Sequence, residues 1–194
     1  MAGVDRGRPR NPGNDTAILD AALDLLIERG AAGTSIEAVA RSAGVAKLTV
    51  YRRWQSKEEL LMAALEHGRN PDSEAPETGQ TIEELVDFIA KTLGRPRFRA
   101  LMARVIGASV DYPELVNTYT RRYLLPRLTS LTDTAQQAID AGRFPAGTDP
   151  NAVQDILAAS IAITLLSGET ATADHIAHRL WTLLRHIGYR EQSD

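Results

Sequence analysis

TSIEAVARSAGVAKLTVYRRWQSK, Thr34 to Lys57, decides the reading of this chain. Thr34 and Glu37 match the capping-box spacing, in which a hydroxyl and a carboxylate satisfy the backbone N–H groups that a helix start leaves open. Ile36, Val39, Ala40 and Ala43 then recur at the helical period and give that helix one apolar stripe. Gly44 stands where the chain must turn sharply, because glycine reaches left-handed backbone angles without steric cost, and Val45 is placed to fill the corner. The period resumes with Ala46, Val50 and Trp54 on a supporting face, which leaves Lys47, Leu48, Tyr51 and Arg52 on the opposite one. Two short helices joined in this way form a helix-turn-helix. The free face of the second mixes cations with Leu and Tyr, and a major groove accepts that mixture: Lys or Arg on guanine edges, an apolar side chain on a thymine methyl, a Tyr hydroxyl on phosphate.

The flanks extend the motif. Ser56 to Glu59 supply a second capping box, and the helix it opens turns Leu60, Leu61, Ala64 and Leu65 inward. Lys57 lies in the first turn, where a cation opposes the helix dipole, so its position is better explained by a phosphate outside the chain. Arg52 and Arg53 point differently, so at least one reaches phosphate rather than bases, and Thr49 borders the buried face. Upstream, a helix from Asn14 or Asp15 to just before Gly30 buries Ile18, Ala21, Ala22, Leu25 and Leu26 while Asp20, Asp24 and Glu28 face water. Residues 1–13 show no apolar period and read as a flexible arm; its Arg6-Gly7-Arg8-Pro9-Arg10 core resembles an AT-hook and suits a narrow minor groove, the alternative being a basic tail that adds only non-specific attraction.

The segments ILDAALDLLIERG (Ile18 to Gly30), TSIEAVARSAGV (Thr34 to Val45) and AKLTVYRRWQSKEELL (Ala46 to Leu61) resemble the DNA-binding domain of the tetracycline-repressor (TetR) family of transcriptional regulators. The likeness covers about the first third of the chain through ordered motifs, and the remainder only through length and helical character. It implies an all-α fold, with an N-terminal three-helix DNA-binding domain and a C-terminal helical domain for ligand binding and dimerisation. It further implies a homodimer on a pseudo-palindromic operator, released when a small-molecule effector binds. Positions matching Thr34 and Ser35 contact phosphate in such proteins, those matching Lys47, Leu48, Thr49, Tyr51 and Arg53 approach bases or backbone, and that matching Lys57 contacts phosphate. Leu48 replaces a small residue or Pro, and Ala46 a polar one, so the docking mode transfers better than any operator sequence.

Length and composition set outer bounds. A chain of 194 residues can build one large or two small cores, and it contains no apolar run long enough to span a membrane. No hydrophobic segment follows the basic start, so no signal peptide is expected, and a chain without Cys is compatible with a reducing cytoplasm, the expected location. The net charge of −3 conceals an asymmetry: residues 1–57 carry 9 Lys and Arg against 6 Asp and Glu, residues 58–194 carry 13 against 19. Only the first part suits a polyanion.

The expected organisation is an arm over 1–13, a DNA-binding domain over 14–67, a polar Gly- and Pro-bearing linker over 68–79 and a helical domain over 80–194. Helices are expected at about 80–93, 96–109, 113–141, 150–167 and 172–188, with a kink or restart at Pro126 and a loop over 142–149. The last two are apolar on broad faces, which points to a homodimer interface through Ile156, Ile163, Leu180, Trp181 and Leu184. By the resemblance, Phe88, Met102, Tyr119 and Tyr123 fall on helices that surround an effector cavity, with Arg104 and Arg122 as polar anchors. His175 and His178 have metal-ligand spacing but no accompanying third ligand, so neither metal nor cofactor is expected. No phosphate loop, zinc-protease helix or nucleophile elbow supports an enzyme. Two rival readings are a sequence-tolerant architectural DNA binder that uses the Arg arm, and a helical ligand-binding or enzymatic protein with a vestigial helix-turn-helix.

Overall fold

The computed structural model describes residues 12–68, 80–167 and 171–191. The expected contacts at Arg6, Arg8 and Arg10, and all of the expected linker but Gly68, lie outside the described residues. Every regular element among the described residues is helical, and they belong to two compact units, Met1–Arg69 and Asn70–Asp194.

In the first unit, α1 (Pro12–Gly33) starts slightly earlier than expected and breaks at Gly30, whose φ of 71° and ψ of 177° are open to glycine and costly for residues with a Cβ. It packs along α4 (Lys57–His67), with α2 (Ile36–Ser42) and α3 (Lys47–Tyr51) completing the unit. Ile18, Leu26, Val39, Val50, Leu60, Leu61 and Leu65 are fully buried, each such side chain contributing roughly 1.5–3 kcal/mol. The acidic face of α1 at Asp20, Asp24 and Glu28 is exposed, as its period requires.

The helix starts differ in detail from the sequence reading. Ser35, not Thr34, caps α2, its hydroxyl accepting from the Ala38 N–H at 3.1 Å. Ser56 caps α4 by accepting from the Glu59 N–H, but the Glu59 carboxylate reaches back to the Gln55 N–H at 2.7 Å, one residue beyond the expected capping box.

In the second unit, α5 (Ile82–Leu93) opens with a complete capping box of Thr81 and Glu84 and packs against α6 (Pro96–Gly107), α8 (Leu125–Asp140), α9 (Pro150–Leu166) and α10 (Ala173–His186). Ile82, Val86, Leu131, Leu157, Ile176, Leu180 and Leu184 form its centre. The expected long third helix is instead α7 (Pro113–Tyr119), a π-helical turn (Thr120–Leu124) and α8. Pro126 explains the interruption: it has no N–H to donate and its ring collides with the carbonyl four residues back, so the preceding turn widens and the Leu125 N–H bonds to the Thr120 carbonyl instead.

The 142–149 loop is more than a connection. Phe144 is buried in the core and stacks at 5.0 Å on Tyr189. Arg143 Nη2 donates to Glu83 Oε1 at 2.8 Å and to the Tyr189 hydroxyl oxygen at 2.9 Å, and that hydroxyl donates to Glu83 Oε1 at 2.8 Å. Burial works against the charged form of Glu83, but backbone, Tyr189 and Arg143 hydrogen bonds hold its carboxyl below the usual value. Burial, then the Glu83 carboxylate, pushes the Tyr189 hydroxyl up.

Candidate nucleic-acid interface and internal cavity

Gly44, at φ 66°, ends α2 in the left-handed conformation; the Gly44 N–H reaches the Arg41 carbonyl and the Val45 N–H the Ala40 carbonyl, a Schellman closure that swings the chain directly into α3. α3 is anchored from below by Val50, which is wholly buried, with Trp54 partly buried beside it. Ala46, expected on the same supporting face, is exposed because it is the N-cap, ahead of the first helical turn. The outward face carries Lys47, Leu48, Tyr51 and Arg52, with Leu48 61% and Tyr51 41% exposed. Two large apolar side chains held in water on a five-residue helix gain nothing for the fold.

The charges around this face are arranged by contacts that the sequence does not announce. Lys47 forms an ion pair with Glu37 of α2 and lies 5.3 Å from the Tyr51 ring centroid. The hydrogen bond from Lys47 lowers the Glu37 carboxyl, and the same bond raises the Lys47 ammonium, so both stay charged around neutral pH.

Two of the expected DNA-contact residues are committed elsewhere. Arg53 Nε donates to Asp15 of α1 and its Nη1 to the Thr49 carbonyl at 2.9 Å, which leaves the side chain only 13% exposed; it fastens α3 to α1. Thr34 is 1% exposed and its hydroxyl donates to the Gly30 carbonyl at 2.8 Å, so it closes the end of α1 and does not present its hydroxyl to phosphate. Ser35 is exposed at the start of α2, Lys57 is half-buried in the first turn of α4, and Thr49 is half-buried at the edge of α3.

The second unit encloses a cavity of about 320 Å³ between α5, α6, the α7–π–α8 segment and α9. Phe88, Met102 and Tyr119 line it, as the resemblance implies, and the Tyr119 hydroxyl points to Met102 Sδ at 3.3 Å. Tyr123 stacks on Tyr119 at 5.3 Å but lies behind the wall, while Arg104 and Arg122 are exposed and do not line the cavity. Arg104 lies on α6, away from the lining; in the α7–π–α8 segment the extra residue of the π turn shifts the helical phase by roughly 100°, so Leu124 takes the cavity position that Tyr123 would hold in an unbroken helix. Arg127 is the lining residue that sequence reasoning missed. Its signal was present: it falls within the apolar stripe of Leu124, Leu128 and Leu131, directly after Pro126.

The expected interface residues also divide. Leu180 and Leu184 are buried in the core of their own unit, because α10 packs that face on α5, and Trp181 is partly buried 6.0 Å from Tyr189. Ile156 is half-buried, and Ile163 is 59% exposed on α9 with Leu166 beyond it. His175 and His178 are exposed, and no group of metal-ligating side chains occurs among the described residues. Nor is any helix among them long and apolar enough to cross a membrane.

A glycine-turned helix pair that displays a cationic, aromatic face, followed by a separate all-helical unit with an internal cavity, defines a helix-turn-helix regulator of the one-component type. The comparisons agree. The family model for bacterial regulatory proteins of the tetR family matches residues 18–64, and that for the tetracyclin repressor-like C-terminal domain matches residues 75–184. The chain is 30% identical over 173 residues to the DNA-binding transcriptional repressor TetR of Mycobacteroides abscessus, covering 85% of this chain and 86% of that one. It is 29% identical over 164 residues to the HTH-type transcriptional regulator YdeS of Bacillus subtilis, covering 83% and 82%. The fold is also that of SmeT, solved as a complex with triclosan, with a TM-score of 0.73, 22% identity and coverage of 89% and 90%. The chain belongs to the TetR family of transcriptional regulators, a family of DNA-binding proteins and not of enzymes.

Proposed function

We propose that two copies of the chain bind a pseudo-palindromic operator, repress transcription from it, and leave it when a small apolar molecule enters the cavity of the second unit. The observation that carries the DNA half is the exposed Leu48 and Tyr51 flanked by Lys47 and Arg52 on α3. On this reading Lys47, Leu48 and Tyr51 approach base edges, and Arg52, Ser35 and Lys57 hold phosphates. Thr49 contributes at the edge of the helix, and Arg6, Arg8 and Arg10 follow the minor groove. Repression is supported by the relative in Mycobacteroides abscessus, which is named as a repressor. The exposed Ile163 and Leu166, on the same helix as the half-buried Ile156, supply the apolar strip that pairs two copies, with the partly buried Trp181 of α10 contributing to the interface.

Release follows from linkage. The effector acts only if it binds more tightly to the dimer geometry in which the two α3 helices no longer match successive major grooves, about 34 Å apart. SmeT was solved with triclosan, a precedent for small-molecule binding on this fold. Selection of duplexes from a random pool by the full-length protein, followed by gel-shift titration, tests the reading. An enriched inverted repeat is the expected outcome; no enrichment over random DNA at moderate salt would sink it.

A further inference from the structure

We propose that the cavity selects an amphipathic monoanion, an apolar chain or ring system bearing one carboxylate-like group, and that Arg127 is the residue that selects it; this rests on the effector-binding half of the function proposed above. The lining is almost wholly apolar, built from residues such as Leu85, Phe88, Phe98, Met102 and Ile161. Among the described residues, its hydroxyls come from Thr92, Thr120, Ser130 and Tyr119, its one charged residue is Arg127, and no carboxylate faces the space. Arg127 is half-buried and has no ion pair or hydrogen bond among the described residues.

A half-buried arginine beside apolar walls keeps only part of its hydration, and no acidic side chain among the described lining residues offsets its charge. Two other arginines of this unit that turn inward are compensated: Arg143 by Glu83 and Arg99 by the Leu93 and Ala171 carbonyls. A ligand carboxylate would supply the missing partner through a planar, two-bond pairing that neutral or cationic ligands cannot make. The volume of about 320 Å³ lies at the small end of the roughly 300–1,000 Å³ range of ligand pockets, which suits a small molecule. Arg127 shares its wall with Tyr119 and Thr120. Ile106 and Leu124 line the cavity and are also exposed, so they mark its mouth.

Isothermal titration of the full-length protein with decanoate, 1-decanol and decyltrimethylammonium, which share one chain length, separates charge from fit. Decanoate is expected to bind roughly 10- to 100-fold more tightly than decanol, the range of a charge-assisted hydrogen bond, with the cation weakest. Arg127→Met should bring decanoate to the decanol level while decanol changes by less than about twofold, and Arg127→Lys should restore part of the preference. Thermal melts of both variants should match the parent, because the side chain ties no other residue among those described. Decanol binding as well as decanoate, or a decanoate preference that survives Arg127→Met, would overturn the proposal. If all three probes bind alike, the cavity remains a binding site and only the selection of an anion is lost; if none binds, the effector-binding half of the proposed function falls with it.

Discussion

The outer face of α3 and the cavity wall of α8 are made from the same kinds of residue, apolar side chains with cations among them, and the fold treats them in opposite ways. On α3, Leu48 and Tyr51 stand in water beside Lys47, whose charge is already met by Glu37. On α8, Leu128 and Leu131 turn inward and Arg127 accompanies them without a counter-charge among the described residues. An exposed apolar side chain with a satisfied cation fits a large polyanion that brings its own water and counterions. A half-buried cation on a cavity wall with none fits a small ligand that carries the compensating charge in with it. Composition alone does not separate the two; exposure and partnering do.

The comparison breaks first at the buried side of each face. Leu26→Ala should destabilise the first unit by about 2–5 kcal/mol in a denaturant titration, because it empties a fully buried site. Leu48→Ala, with the same loss of atoms, and Tyr51→Ala, with a larger one, should leave stability within about 0.5 kcal/mol and weaken binding to the selected operator by roughly 10- to 100-fold in gel shifts. A large stability loss from Tyr51→Ala would mean that the face packs on something and is not a reader.

The next test separates support from recognition. Arg53→Ala removes the link to Asp15, and with Asp15 partly exposed the expected cost is about 1 kcal/mol. Asp15→Asn should reproduce most of it, although Asp15 cannot attract DNA. If Arg53→Ala weakened DNA binding with no change in melting, Arg53 would belong among the readers after all.

In the second unit the Glu83–Arg143–Tyr189 cluster makes stability depend on pH. Because the folded carboxyl of Glu83 lies below its ordinary value of 4.5, its contribution is full above that pH and is lost as the pH falls through the folded value. Melts between pH 7 and 3 should show the loss, and Glu83→Gln should flatten that part of the curve. The smallest effect concerns Glu37. Its pairing with Lys47 restrains a cation of the DNA face, so Glu37→Gln should raise affinity for random duplex a few-fold and steepen its salt dependence, with little gain on the selected operator.

Most helices were legible in the sequence because caps and apolar period are local. Gly44, Ser56, Thr81 and Pro150 mark boundaries through the backbone angles or hydrogen bonds that their own chemistry favours. The exposed face of α3 was legible for the same reason: Val50 on one side of the helix dictates Lys47, Leu48 and Tyr51 on the other. Reading failed where a partner lies far along the chain. Arg53 looked like a reader until Asp15, 38 positions away, was seen to hold it, and Leu180 and Leu184 looked like an interface until α5 was seen to cover them. The phase of α8 could not be read either, since Pro126 announces a disturbance but not whether the helix kinks or inserts a residue.

The sequence by itself therefore determined the class: an all-helical chain whose stretch from Thr34 to Lys57 turns two helices about Gly44 and exposes a basic, aromatic face. That followed from helical period and glycine stereochemistry, which act within a few residues. Only the tertiary structure decided which cations are already spoken for and which line a cavity. Those answers depend on charges and walls brought together from 10 to more than 100 positions apart, between Glu37 and Lys47 or between Glu83 and Tyr189, and no local pattern encodes such a meeting.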